Sequence, residues 1–131
     1  MDNTELERAA QIASRACDLA RGEILPRFRD VSVEFKADGT PVTEADRAAE
    51  RVIREALQQA YPDFGLLGEE YGEENSGDPT KPKWIIDPID GTISFSRGIP
   101  LFGTLIALLE DDKPVVGVID LPALDERYVS W

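Results

Sequence analysis

Histidine is absent from this chain of 131 residues. That removes imidazole-ligated zinc, Ser-His-Asp triads and histidine general bases from consideration. There is one cysteine, Cys17, so no internal disulfide can form. Its place in an alanine-rich helical stretch marks it as a small packed residue rather than a nucleophile. No apolar run reaches the roughly 18 residues needed to span a bilayer. The opening "MDNTELERAA" has neither the basic nor the apolar region of a secretory signal, and a reducing, cytoplasmic location is the expectation. Positive charge is also scarce. Fourteen Lys and Arg stand against 26 Asp and Glu, for a net charge of −12, which argues against a nucleic-acid surface and against anionic membranes. Such acidity serves solubility, and it is compatible with a site that gathers carboxylates around cations.

What is present reads as one soluble globular domain: 42% of residues are hydrophobic and 31% charged. Leu6, Ala9, Ile12, Ala13, Ala16, Leu19 and Ala20 recur at helical spacing. Thr4 followed by Glu7 has the form of a capping box, so a helix is predicted from about residue 4 to 24, ending near Pro26. Val31, Val33 and Phe35 alternate as a short strand or extended arm, and Asp38-Gly39 marks a turn. Thr43 and Asp46 open a second helix that runs to about Ala60, with Ala45, Ala48, Val52, Ala56 and Leu57 on one face. Phe64–Leu67 is a short apolar stretch, "EEYGEENSGDPTKPK" a mobile loop, and Trp84–Ile86 a buried strand. "LFGTLIALLE" and "PVVGVIDL" form a hairpin around Asp111-Asp112-Lys113, and "DERYVSW" begins a further strand whose open edge is a liability for pairing or aggregation. Helices come early and strands late, which predicts an α/β (α+β) layered fold: two N-terminal helices on a largely antiparallel sheet.

The chemistry concentrates at the ends of these elements. Glu69 and Glu70 follow one strand, Asp87 and Asp90 follow another, and Asp46 lies in the first turn of the second helix. Taken singly, each has an ordinary explanation: a turn or helix cap, a solvated acidic pair, a charge that favours a helix terminus. Taken together, carboxylates at strand ends can converge on one point. Carboxylate, carbonyl and water oxygens are what Mg²⁺ prefers, and two such ions roughly 3.5–4 Å apart assist phosphoryl transfer. Gly91 and Thr92 offer main-chain N–H groups that suit phosphate oxygens if a helix begins there.

The stretch "WIIDPIDGT", preceded by "GEE" and before that by "PVTEAD", resembles the inositol monophosphatase family: Mg²⁺-dependent, lithium-sensitive phosphatases of small phosphate monoesters. The resemblance covers almost the whole chain and implies the layered α/β sandwich of that family. It implies that Glu69, Asp87, the carbonyl of Ile89 and Asp90 hold metal, with Asp87 bridging two ions. It further implies that Asp87, Ile89, Asp90, Gly91 and Thr92 form the phosphate-binding turn, held through the main-chain N–H groups of Gly91 and Thr92. Thr92 and Asp46 would orient and deprotonate the attacking water, with Glu69 also catalytic. Glu70 matches a neighbour with a less consistent role, and Lys36 is a candidate partner for a nearby carboxylate.

"SRGIPLFGTLIALLEDDKPVVGVIDLPALDERYV" is similar to the histidinol-phosphate phosphatase branch, which implies histidinol phosphate as substrate and a part in histidine biosynthesis. Inositol 1-phosphate or a related sugar phosphate is the alternative. After Gly91-Thr92 that branch usually carries Lys and then Asn or Ser, where this chain has Ile93 and Ser94; the apolar Ile93 is the departure. Family members are about twice as long, commonly homodimeric, and draw a further metal-binding Asp from their C-terminal half. The resemblance therefore implies that residues 1–131 are an N-terminal metal-binding part. A non-catalytic fragment or interaction module is the competing expectation of another class.

Overall fold

Two long helices lie across one face of a six-stranded sheet; the computed structural model describes residues 1–75 and 77–131. Helix α1 spans Asn3–Ile24. Its capping box is built two residues earlier than Thr4 and Glu7: the Asp2 carboxylate accepts the Glu5 N–H at 2.8 Å, and the Glu5 carboxylate accepts the Asp2 N–H at 2.7 Å. Both pairs fit the same spacing, and the earlier one satisfies the amides of the first turn. Ala9, Ala10, Ala13, Ala16, Cys17 and Ala20 form the buried stripe. Leu19, expected on that face, is 54% exposed.

Helix α2, Glu44–Ala60, begins as the sequence predicts, with Thr43 capping and Asp46 reciprocating. Ala45, Ala49, Ile53 and Leu57 are buried and pack against α1. Small side chains on both faces let the helix axes approach closely. Between the helices, the predicted arm is reduced to β1 (Glu34–Phe35), which pairs with β2 (Pro41–Val42). Phe35 is 69% exposed, so its alternation with Val31 and Val33 does not mark a core face.

The main sheet has the order β4-β3-β5-β6-β7-β8: β3 Gly65–Gly68, β4 Gly72–Glu74, β5 Lys83–Asp90, β6 Gly103–Glu110, β7 Lys113–Leu121 and β8 Glu126–Ser130. Among the described residues only β3 and β5 run parallel; the other pairings are antiparallel. Two strand expectations need correction. Part of the supposed mobile loop, Gly72–Glu74, pairs with β3 as an edge strand, and Ser76 of that loop lies outside the described residues. Strand β5 does not stop at Ile86 but carries the whole Asp87–Asp90 segment. The β6–β7 hairpin turns on Asp111 and Asp112 alone, both at positive φ (51° and 60°). That is the two-residue geometry that matches strand twist, and Lys113 already belongs to β7.

Alternation along the strands separates two faces. Trp84, Ile86, Ile106, Leu108, Val116 and Val118 are buried beneath the helices. Ile85, Leu105, Ile119 and Tyr128 line a groove of about 440 Å³ on the opposite face, where Ile119 and Tyr128 are 48% and 59% exposed. Helix α1 is tied to β7 and β8 through the fully buried Asp120, which accepts from Arg21 Nε and Nη2 at 2.9 and 2.7 Å and from Arg127 Nε at 2.9 Å.

Candidate active site

The site grows out of an irregularity at the end of β5. Asp87 pairs with Leu105 and Asp90 with Gly103, so two residues of β5, Pro88 and Ile89, oppose the single residue Thr104. Such a bulge bends a strand and re-aims its side chains. Here Ile89 is 3% exposed while Asp90 turns out to solvent, and Thr104 Oγ1 holds the bulge by donating to Pro88 O at 2.8 Å. Gly91 then takes φ 92°, a left-handed conformation that favours glycine, and a Cβ there would lie 3.3 Å from the Leu101 carbonyl oxygen. The short helix α3, Thr92–Ser96, starts directly after it.

The end of β3 arrives alongside. The Glu69 N–H donates to Ile86 O at 3.2 Å, which fixes the "GEE" turn next to β5. Glu69, Glu70, Asp87 and Asp90, with Ile89, Gly91 and Thr92, line one cleft of about 340 Å³. Ile93 and Ser94 line the same cleft. Asp46 is 1% exposed and sits behind that wall. Its Oδ2 accepts from Thr43 N and Thr43 Oγ1 at 2.9 and 2.6 Å, and its Oδ1 accepts from Thr92 Oγ1 at 2.9 Å. The predicted site residues Glu69, Asp87, Ile89, Asp90, Gly91 and Thr92 thus share one cleft, and Asp46 reaches it through Thr92. Lys36 pairs with Glu70 Oε2 at 3.2 Å and donates to Glu69 O at 3.4 Å.

The electrostatics follow from this crowding. Burial first, then the charges of Asp90, Glu69, Asp46 and Glu70, push the Asp87 carboxyl up to about 7. Burial likewise lifts Glu70 above the usual carboxylate range, with Lys36 opposing it. As placed, no three Asp, Glu or Cys side chains among the described residues form a group able to grip one ion. The donor set nonetheless fits a hard divalent cation: three carboxylates and a carbonyl, all oxygen, in a cleft where negative charge is under-compensated.

Sequence reasoning passed over Glu50 and Arg54. Both are buried (0% and 6% exposed), and with Asp46 they form a charged series at four-residue spacing inside the buried side of α2. Charged residues beside an apolar helical stripe were the available signal.

The sequence profile of the inositol monophosphatase family matches residues 2–131. The chain belongs to the inositol monophosphatase family. It is 46% identical over 130 residues to a histidinol-phosphatase of Mycobacterium tuberculosis, covering 98% of this chain and 48% of that protein. It is 41% identical over 123 residues to an inositol-1-monophosphatase of Mesorhizobium japonicum, covering 94% of this chain and 44% of that one. Among solved structures, the extragenic suppressor protein suhB from Bartonella henselae superposes with a TM-score of 0.86 at 34% identity, over 94% of this chain and 48% of that one. The layered α/β architecture is that of the family, and the chain spans about half the length of the relatives it matches. Among the described residues no helix is long and apolar enough to cross a membrane.

Proposed function

We propose that this inositol monophosphatase family chain carries the metal-holding and water-activating part of a phosphatase for small phosphate monoesters, with histidinol phosphate as substrate. The observation that carries the reading is the hydrogen bond from Thr92 Oγ1 to the buried Asp46 carboxylate, made at the wall of the cleft that holds Glu69, Asp87 and Asp90. Because the Thr92 proton is directed into Asp46, the lone pairs of its oxygen are left to accept a proton from a water in the cleft. As the water proton passes to the Thr92 oxygen, the Thr92 proton passes to Asp46 Oδ1, which neutralises that carboxylate and leaves the negative charge on the attacking oxygen. Thr43 steadies Asp46 through two further hydrogen bonds, and Thr104 steadies the bulge that presents Ile89 and Asp90. The main-chain N–H groups of Gly91 and Thr92 hold phosphate oxygens. Glu69, Asp87, Asp90 and the Ile89 carbonyl would hold Mg²⁺, which when bound offsets the carboxylate charge, draws in phosphate oxygens and makes water more acidic. No covalent phosphoenzyme is invoked.

Histidinol phosphate is favoured by the Mycobacterium tuberculosis relative. The Mesorhizobium japonicum relative keeps inositol 1-phosphate as the second reading. The test is phosphate release from each substrate with and without Mg²⁺, alongside calorimetric Mg²⁺ titration of the unsubstituted protein and Glu69→Gln. Faster release from histidinol phosphate, lost in Asp87→Asn, supports the reading. Mg²⁺ binding without turnover of either substrate points instead to a non-catalytic metal-binding chain. A rate that Asp87→Asn leaves intact refutes the site.

A further inference from the structure

The turn that presents Glu69 and Glu70 is held from behind by another carboxylate. Glu50, fully buried on α2, uses both oxygens on main-chain amides of that turn: Oε1 accepts from Glu70 N at 2.8 Å and Oε2 from Tyr71 N at 2.9 Å. Arg54 supplies the compensating charge, with Nε 2.9 Å from Glu50 Oε2. It also reaches past the turn to Gly72 O and to Glu74 Oε1, the latter at 3.1 Å. Gly68, the last residue of β3, leaves the necessary space: a Cβ there would lie 2.4 Å from Glu50 Oε2. A buried carboxylate is costly unless paired and hydrogen-bonded, and this one is satisfied by main-chain amides next to the cleft.

We infer that Glu50 is a positioning residue for the metal-holding turn, setting the place of Glu69 and Glu70 through their backbone without touching substrate. The inference rests on the functional reading above. Glu69 is pinned on one side by the Ile86 carbonyl of β5 and on the other by the amide of the next residue, which Glu50 holds. Glu50→Gln keeps the size of the side chain but puts an amide NH₂ where one oxygen accepts, so one turn N–H or the Arg54 Nε–H then faces a donor, and Arg54 keeps only Glu74 as an ionic partner. Gly68→Ala reaches the same end from the opposite side by displacing the carboxylate.

The test is calorimetric Mg²⁺ titration of the protein and of Glu50→Gln, Gly68→Ala and Ile53→Val, with melting temperatures in parallel. Ile53→Val loosens the same helix without touching the turn. Partners that orient metal ligands typically change metal affinity about 10–100-fold. Mg²⁺ dissociation constants raised by about that factor in Glu50→Gln and Gly68→Ala, and unchanged in Ile53→Val, support the inference. If both variants melt lower but bind Mg²⁺ within about twofold of the unsubstituted protein, Glu50 only stabilises the fold and the inference is overturned. If the unsubstituted protein binds no Mg²⁺, the functional reading itself fails and takes the inference with it.

Discussion

Replacing Thr92 with valine deletes one hydroxyl and keeps the branched shape. The hydroxyl donates to Asp46 Oδ1 at 2.9 Å; its second contact, to Ile89 O at 3.3 Å, is long for a hydrogen bond. Asp46 is 1% exposed, and the valine methyl would lie where water would have to enter to replace the lost donor. Losing a hydrogen bond to a carboxylate in such a place costs about 2 kcal/mol. For a chain of 131 residues that is a fall in melting temperature of roughly 6–10 °C. Thr92→Ser keeps the donor and should melt within about 3 °C of the unsubstituted protein. Calorimetric melts of the three proteins in EDTA isolate this term from any effect of metal. If Thr92→Val melts together with Thr92→Ser, the hydroxyl is not holding Asp46 and the proton path proposed through Thr92 has no structural basis. Where turnover is measurable, Thr92→Val should also lose about 10²–10⁴-fold in rate, the usual worth of a positioned base.

Three further outcomes are expected. Asp120→Ala removes the buried carboxylate that Arg21 and Arg127 share, while each arginine keeps a second partner, Asp125 and Asp18; losing the charge-assisted hydrogen bonds should destabilise the protein by about 1.5–3 kcal/mol in urea melts, and a loss below about 1 kcal/mol would show that the link from α1 to β7 and β8 is dispensable. Burial, with Asp120 nearby, pushes the Cys17 thiol up to about 12, so a disulfide reagent at pH 8 should label it only after denaturation, and fast labelling of the native protein would contradict that packing. In metal-free buffer the native state holds the Asp87 proton more tightly than the unfolded chain, with a value of about 7 against 3.8. Stability should therefore fall as pH rises from about 4 to 7 and vary less in Asp87→Asn; a melting temperature that climbs across that window on this account, and falls in Asp87→Asn, would reverse the sign of the argument.

Local chemistry made much of the fold legible. Alanine spacing reveals α1, Thr43 and Asp46 mark the start of α2, and the Asp111-Asp112 turn lies between two apolar runs. Strand β4 escaped because Gly72, Glu73 and Glu74 are all exposed and show no apolar alternation; their strand character comes from pairing with β3. The far half of β5 is hidden in the sequence because Pro88 and two aspartates read as a turn. Proline is tolerated there because it falls within a bulge, where regular pairing is interrupted. The acidic groups of the candidate site stand out in the sequence as a set, since each lies near the end of an expected element, and the fold brings Glu69, Asp87 and Asp90 to one cleft. The Asp46–Thr92 hydrogen bond spans 46 positions, and only the fold, or a resemblance to a family, could suggest it. Glu50 is hidden in the sequence because a glutamate on a helix reads as surface until the turn it holds is seen.

Ile85 and Asp87 point away from the helices, so Asp87 belongs both to the cleft and to the apolar groove on the bare side of the sheet. Any apolar layer laid over that groove removes water from one flank of Asp87 and lowers the dielectric through which every charge in the cleft is felt. Cation attraction and carboxylate repulsion would strengthen together. On the proposed metal-holding reading, the affinity of the cleft for a cation would respond to what covers the rear of the sheet, with no cleft residue altered.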